Sequence, residues 1–329
     1  MSAKPSTPRN SGSKATRTAE RRSARTPPPG WQDPLAQQQP LVSGRWLLYA
    51  LLAVVGFAAI SAYLTLCLLF YQGQWQVVFH PSRAVATTPA SLGLRYDDVR
   101  FDYTGTGIAQ LNGWWIPAEA NALLADRTIL FFHDGSGSLA NVGEQLKTLH
   151  SLGANIFAFD YRGFGNSVND HPSESRVYED ADAAWNYLTD IRHLDPKSIV
   201  LYGSGLGATI AVEAAVRHRE SPALVLENPA PPALSLIEAD SRTHLLPIQW
   251  LFRDRFEIMP KLQQLGLVLG EPAAGLVASG KQPASPIILN QAAANGPRLL
   301  VLLGPSPTSD PRYRPTLAEF LRDVRSATH

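Results

Sequence analysis

Three short stretches hold side chains whose types and spacing suit chemistry. They are His133-Asp134-Gly135-Ser136-Gly137-Ser138, Asp160-Tyr161-Arg162-Gly163-Phe164-Gly165 and Gly203-Ser204-Gly205-Leu206-Gly207-Ala208. Each lies where an apolar run of strand length ends, and in open α/β sheets chemistry gathers at the carboxyl ends of strands. Ser136, Ser138 and Ser204 bring hydroxyls, His133 a proton acceptor, and Glu227, which closes a later strand, a carboxylate. One of these serines with His133 would make an improvised nucleophile–base dyad, with Glu227 as the third group. Against that, serines in such turns commonly bond nearby backbone. The third stretch also fits G-x-G-x-x-A between a strand and a helix, with an acid about 20 residues on, as in a dinucleotide fingerprint. That fingerprint usually opens its domain, whereas here three strand–helix units precede it. No cofactor is expected. The eight histidines are scattered, none pairs at metal spacing, and the lone Cys67 builds no zinc module, so no metal site is expected either.

The elements that must position these residues alternate. Residues 128–133, 155–161, 198–203, 223–227 and 298–303 are apolar runs of strand length, and amphipathic stretches at 139–152, 174–190, 206–218 and 286–294 lie between or beside them. Continuous apolar strands alternating with helices predict a mostly parallel sheet covered on both faces, the α/β class. Earlier, YDDVRFDYTG and IAQLNGWWIP read as a hairpin of half-exposed strands, with Trp114 and Trp115 packing it. Asp160 and Arg162 are expected to brace their loop, and Glu179, Asp180 and Asp182 to form the wet face of a helix.

The N-terminal part obeys different physics. Residues 1–45 carry eight basic and two acidic side chains, a net charge of +6, with abundant Ser, Thr and Pro and few aliphatics. Such a stretch cannot bury enough apolar surface to offset its ordering entropy, so 1–44 reads as a disordered basic tail. From Trp46 to Tyr71 there are 26 residues without a charge; roughly 20 suffice to cross the hydrocarbon core. A cleaved signal would have a shorter apolar region and an earlier start. Residues 45–71 are therefore expected to be a transmembrane helix, with the membrane as partner of 46–71. The basic flank precedes it, which puts the tail in the cytoplasm and the domain at 75–329 outside.

Composition narrows the remaining classes. The chain has 329 residues, 45% hydrophobic and 17% charged, with a net charge of +1. It is long and apolar enough to bury a large core. The near-neutral balance does not suit a nucleic-acid binder. A ligand or protein partner is not named by the sequence.

In order along the chain, LRYDDVRF, LNGWWIPA, HDGSG, FDYRGFGNS, YGSGLG, LVLENPAP and LPIQWLFRDRFEIMPKL resemble the alpha/beta-hydrolase superfamily over 75–325. The nearest likeness is to its membrane-anchored, serine aminopeptidase-like branch. The resemblance implies an alpha/beta-hydrolase fold after one transmembrane helix, and a Ser-His-acid triad on three turns. In the G-x-S-x-G turn the flanking glycines are Gly203 and Gly207, so Gly205 stands where the serine belongs and Ser204 lies one place early. Taking GLVLGEPAAG (266–275) as the seventh strand puts Ala273 at the acid position. Taking 298–303 as the eighth puts Pro307 at the histidine position, leaving only His329 beyond it. The expectation is a hydrolase fold without triad chemistry, acting in binding or scaffolding. The alternatives are a serine hydrolase using displaced residues (Ser204, Ser136, His133) and a nucleotide binder through Gly203–Ala208. Backbone donors resembling an oxyanion hole are expected at Leu206 and in the loop holding Asp134 and Gly135. His133, by the same resemblance, is expected to hold its own loop.

Overall fold

A computed structural model describes residues 29–30, 42–102, 105–108, 110–238, 243–292, 296–304, 308 and 310–327. Nearly all of the basic tail, Pro307 and His329 lie outside the described residues. The chain divides into two compact units, residues 1–61 and 62–329.

Helix α1 (Gly44–Gly73) is one helix long and apolar enough to cross a membrane, with mean hydropathy 2.3 over its most apolar window and no residue of that window buried. A polar face is absent from its sequence, and so is a buried one from its structure.

The second unit is built on eight strands. They are β1 (Asp97–Phe101), β2 (Leu111–Ile116), β3 (Thr128–Phe132), β4 (Asn155–Asp160), β5 (Ile199–Ser204), β6 (Ala223–Glu227), β7 (Ile287–Ala292) and β8 (Arg298–Leu303). Their order across the sheet is β1-β2-β4-β3-β5-β6-β8-β7. β1, β2 and β4 pair antiparallel in succession, β4-β3-β5-β6-β8 are parallel, and β7 closes the edge antiparallel to β8. The central strands read as unbroken apolar runs because both faces are covered. Leu130, Phe132, Leu201, Leu224 and Leu226 pack toward α3 (Glu174–Asn186) and α4 (Leu206–Arg217). Ile129, Phe131, Val200, Val225 and Leu300 pack toward α2 (Gly143–His150) and α7 (Tyr313–Ala327).

The structure departs from the sequence reading at four places. Strand β2, expected to be half-exposed, is buried along its whole length because its side chains enter the packed clusters on both faces of the sheet. Residues 266–275 are not a strand: Gly266 takes φ +73°, and the chain enters helix α6 (Ala273–Ser279) directly. Gly270 and Pro272 withhold side-chain packing and a ladder donor, which weakens a strand there. Residues 286–294 are not a helix, because Ile287–Ala292 forms β7, where β-branched Ile287 and Ile288 suit a half-buried edge. Asp180 is not on a wet face. It is fully buried and takes the Arg162 backbone N–H at 2.9 Å and its Nε at 2.8 Å.

Candidate functional site

β5 ends in Gly203-Ser204, the chain reverses at Gly205 (φ 60°, ψ −123°), and α4 begins at Leu206. The flanking glycines are dictated by close packing. A Cβ on Gly203 would collide with the carbonyl of Gly207, and one on Gly207 with the carbonyl of Phe132. The tight strand–turn–helix frame is therefore complete. Its apex is tied down from below: Gly205 N donates to Glu227 O at 2.9 Å, and Gly205 O accepts from Ala230 N at 3.0 Å.

The space above the apex is already filled. Asp134, at the exit of β3, turns its Oδ1 onto the backbone N–H of Leu206 at 2.8 Å and of Gly135 at 2.7 Å. A Cβ built on Gly205 would collide with this oxygen and lie 2.5 Å from Asp134 Cγ. So the donors expected at Leu206 and Gly135 do converge, but they converge on a carboxylate from the chain itself. The expectation for Asp134 is corrected in kind: its side chain is the acceptor in this cluster. A carboxylate suits that place because the first N–H groups of a helix lack intrahelical partners and carry partial positive charge.

His133 faces away from the turn. It is fully buried, and its Nδ1–H donates to the Asp134 carbonyl at 2.6 Å, which fixes Nε2 as the bare nitrogen. Nε2 has no hydrogen-bond partner among the described residues and looks toward Asp160 Oδ1 at 3.7 Å. Burial pushes the His133 imidazole down to about 4 and the Asp160 carboxyl up to about 7. Asp160 Oδ1 also accepts from Leu139 N at 2.9 Å. His133 thus braces the β3 and β4 exits, with the Tyr161 hydroxyl on its carbonyl at 3.0 Å.

The serines do not join it. Ser136 is exposed in a short parallel bridge with His80. Ser138 is buried and donates to Ala84 O at 3.1 Å. Ser204 is half-buried, opposite Glu227 in the ladder. Glu227 is itself engaged, accepting from Gln145 Nε2 at 2.7 Å and from the Tyr202 hydroxyl, which also meets Tyr313 at 2.7 Å. Burial raises its carboxyl above the ordinary range. The first N–H of the helix, at Leu206, and the acid after the next strand, Glu227, both have internal partners.

Ala273 and Pro307 also need reassignment. Ala273 is buried at the start of α6, not in a turn after a strand. Because β8 pairs directly with β6, residues 298–303 take the seventh place across the sheet, and the residues after them are where an acid would come. Counting three from Gly304 reaches Pro307, which lies outside the described residues. Asp310, in the same turn, is committed to Arg312 at 3.0 Å. Among the described residues only helix α7 follows, without a further strand.

Beside the turn lies a cleft of about 210 Å³ lined by Asp134, Gly205, Asn228, Pro231, Leu276 and Lys281. Sequence reasoning missed Asn228, held at φ +43°, whose amide grips Gly304 through two 2.9 Å bonds. It also missed the Asp134 side chain, although an acid next to a turn glycine after a strand was a visible signal. No group of three or more His, Cys, Asp or Glu that could hold a metal occurs among the described residues.

Comparison with known proteins agrees with this architecture. The serine aminopeptidase (S33) family matches residues 125–264, a stretch running from β3 through the elbow to the segment after β6. The chain has the alpha/beta-hydrolase fold, and its residues 125–264 are similar to that superfamily's serine aminopeptidase family. An uncharacterised protein of Mycobacterium tuberculosis is 29% identical over 258 residues, covering 77% of this chain and 86% of that one. The alpha/beta hydrolase domain-containing protein WAV2 of Arabidopsis thaliana is 32% identical over 152 residues, 45% of this chain and 47% of its own length. The human alpha/beta hydrolase domain-containing protein 17C is 35% identical over 119 residues, 35% of each chain. An esterase of Pyrococcus furiosus has the same fold, with TM-score 0.53 at 20% identity over 75% of this chain and 98% of that one.

Proposed function

We propose that this alpha/beta-hydrolase-fold chain is a membrane-anchored binding or scaffolding protein of the serine aminopeptidase-like branch that does not run triad chemistry. The observation that carries this reading is the Asp134 carboxylate on Leu206 N–H, above a glycine. Acyl transfer needs a nucleophile at that apex and free donors for the oxyanion. Here the apex has no side chain, the Leu206 and Gly135 N–H groups donate to Asp134 Oδ1, and His133 has one nitrogen on a carbonyl and the other toward Asp160.

Purified full-length protein is the material for the test. It should take up no fluorophosphonate probe and show no p-nitrophenyl ester turnover above buffer. Specific turnover that is lost on Ser136→Ala or Ser204→Ala would replace this reading with a serine hydrolase using displaced residues. Bound flavin or nicotinamide absorbance would instead support nucleotide binding.

The anchor in this reading is residues 46–71, with the basic tail in the cytoplasm and the domain outside, supported by helix α1 and the +6 flank. A C-terminal reporter active only outside the cytoplasm should score positive. A cytoplasmic reporter active in its place would reverse the orientation.

A further inference from the structure

Several features draw attention outside the elbow. The acidic cleft around Asp102, Glu179, Asp182 and Asp190 holds no second sign of a ligand. The Glu227–Tyr202–Tyr313 network is satisfied internally, with Gln145 as a further donor to Glu227. The segment 243–255 is different, because it exposes large apolar side chains while being tied to the end of helix α1.

The ties come at two levels. The Tyr63 hydroxyl donates to Leu245 O at 3.0 Å. Further along the helix, Arg253 Nη1 donates to the Tyr71 hydroxyl at 2.8 Å, and Arg253 N to Gln74 Oε1 at 2.7 Å. Tyr63 and Tyr71 are eight residues apart, so the two levels differ by about 12 Å along the axis. Between them the chain forms the short helix α5 (Ile248–Leu251), which buries Ile248 in the domain core. Leu245 and Trp250 point out instead, with 80% and 90% of their surfaces exposed, and Trp250 is the most exposed of the large hydrophobic residues described.

The helix sets the depth. Its 30 residues span about 45 Å, whereas the hydrocarbon core is about 30 Å thick. With Arg45 and Trp46 at one interface, the core ends near residue 65, which brings Tyr63 to the opposite interface and leaves Tyr71 beyond it. Leu245 is fastened at the interfacial level and Arg253 at the outer one.

We infer that the segment Leu245–Arg253 is a second membrane contact, in which Leu245 and Trp250 enter the headgroup–acyl boundary of the bilayer that α1 crosses and Arg253 meets lipid phosphates. The inference rests on the anchoring reading above. Tryptophan favours that boundary because its ring is apolar while its N–H stays wet. Exposed apolar groups beside a cation are the usual make-up of an interfacial surface. The bilayer is the occupant because the segment is held to the very helix that enters it.

The test uses full-length protein in phosphatidylcholine vesicles with an environment-sensitive fluorophore on a single cysteine. Three forms are compared: native Cys67, Trp250→Cys in a Cys67→Ser background, and Leu123→Cys in the same background. Leu123 is an exposed residue before β3, at the opposite end of the sheet. Labels at 67 and 250 should both be quenched severalfold by doxyl-labelled lipid, and the label at 123 should not. Quenching at 67 without quenching at 250 would overturn this inference and leave the anchor standing. Absence of quenching at 67 would remove both. A blue-shifted label at 250 that doxyl lipid does not quench means a protein covers the segment, which also overturns the inference. Trp250→Ser and Leu245→Ser provide a variant check: together they should weaken the quenching of a label placed at Gln249, with the domain's melting temperature unchanged.

Discussion

The carboxylate of Asp134 lies 2.8 Å from the backbone nitrogen of Leu206, directly over Gly205. The two residues are 72 apart in the chain, and their contact lies at the strand–turn–helix junction around Gly205. It links the exit of β3 to the start of α4 and makes the elbow a structural joint.

Introducing the missing serine should therefore be costly. Gly205→Ser places a Cβ at positive φ and drives it into Asp134, and strain of this kind costs about 1–3 kcal/mol. Urea denaturation should show that loss, and ester turnover should stay at background. In an Asp134→Gly background the same substitution should cost less, since the collision is gone. Equal costs in both backgrounds would mean the two positions do not meet.

Removing the plug should uncover an anion site. Asp134→Gly frees the N–H groups of Leu206 and Gly135 at the positive end of α4, a ready place for an oxyanion. Phosphate should then raise the melting temperature of the variant in a concentration-dependent way. The unmodified protein, which holds its own carboxylate there, should not respond.

His133 and Asp160 should give opposite pH dependences. The folded Asp160 carboxyl, raised to about 7 by burial, stabilises most below its ordinary range, and this contribution is lost as pH rises toward 7. The folded His133 imidazole, lowered to about 4, stabilises above its ordinary value, and this contribution is lost as pH falls from 6.5 to 4. Denaturation profiles from pH 4 to 7 should show Asp160→Asn gaining a more positive slope than the parent and His133→Asn a more negative one. Unchanged slopes would mean the pair is solvated.

Asp180→Ala should be destabilising. It removes the buried carboxylate that meets the Arg162 guanidinium at 2.7 Å; breaking a buried pair costs about 3–5 kcal/mol when nothing else holds the charge, and here Glu179 at 2.9 Å and the Arg176 carbonyl at 3.0 Å keep the loss below that range. Replacing both residues by apolar ones, Arg162→Met with Asp180→Leu, should recover part of that loss in the same denaturation assay. An additive double variant would argue that the pair is not coupled.

Much of this architecture is written locally. The continuous apolar runs that became β3, β4, β5, β6 and β8 are legible because strands buried on both faces need no polar alternation. The glycines at 203 and 207 announce a tight strand–helix turn because no side chain fits there. The uncharged stretch 46–71 announces a helix apolar enough to enter a membrane, since its composition alone sets its preferred solvent.

Tertiary structure decided what short-range pattern leaves open. GLVLGEPAAG and IILNQA are both short apolar runs, and only pairing with β8 made the second a strand while the first led into α6. A second pairing, of β8 with β6, put residues 298–303 at the seventh place across the sheet, and after them the position where an acid would stand. Asp180 reads as a solvated helix residue until Arg162, from another turn, comes within 2.8 Å of it. Asp134 reads as one more turn residue until the fold delivers the unpaired N–H of Leu206 to its carboxylate. Hydrophobic periodicity is a property of neighbours along the chain. The role of a polar side chain is set by the donors and charges that folding brings within hydrogen-bond reach, and those come from residues far away in sequence.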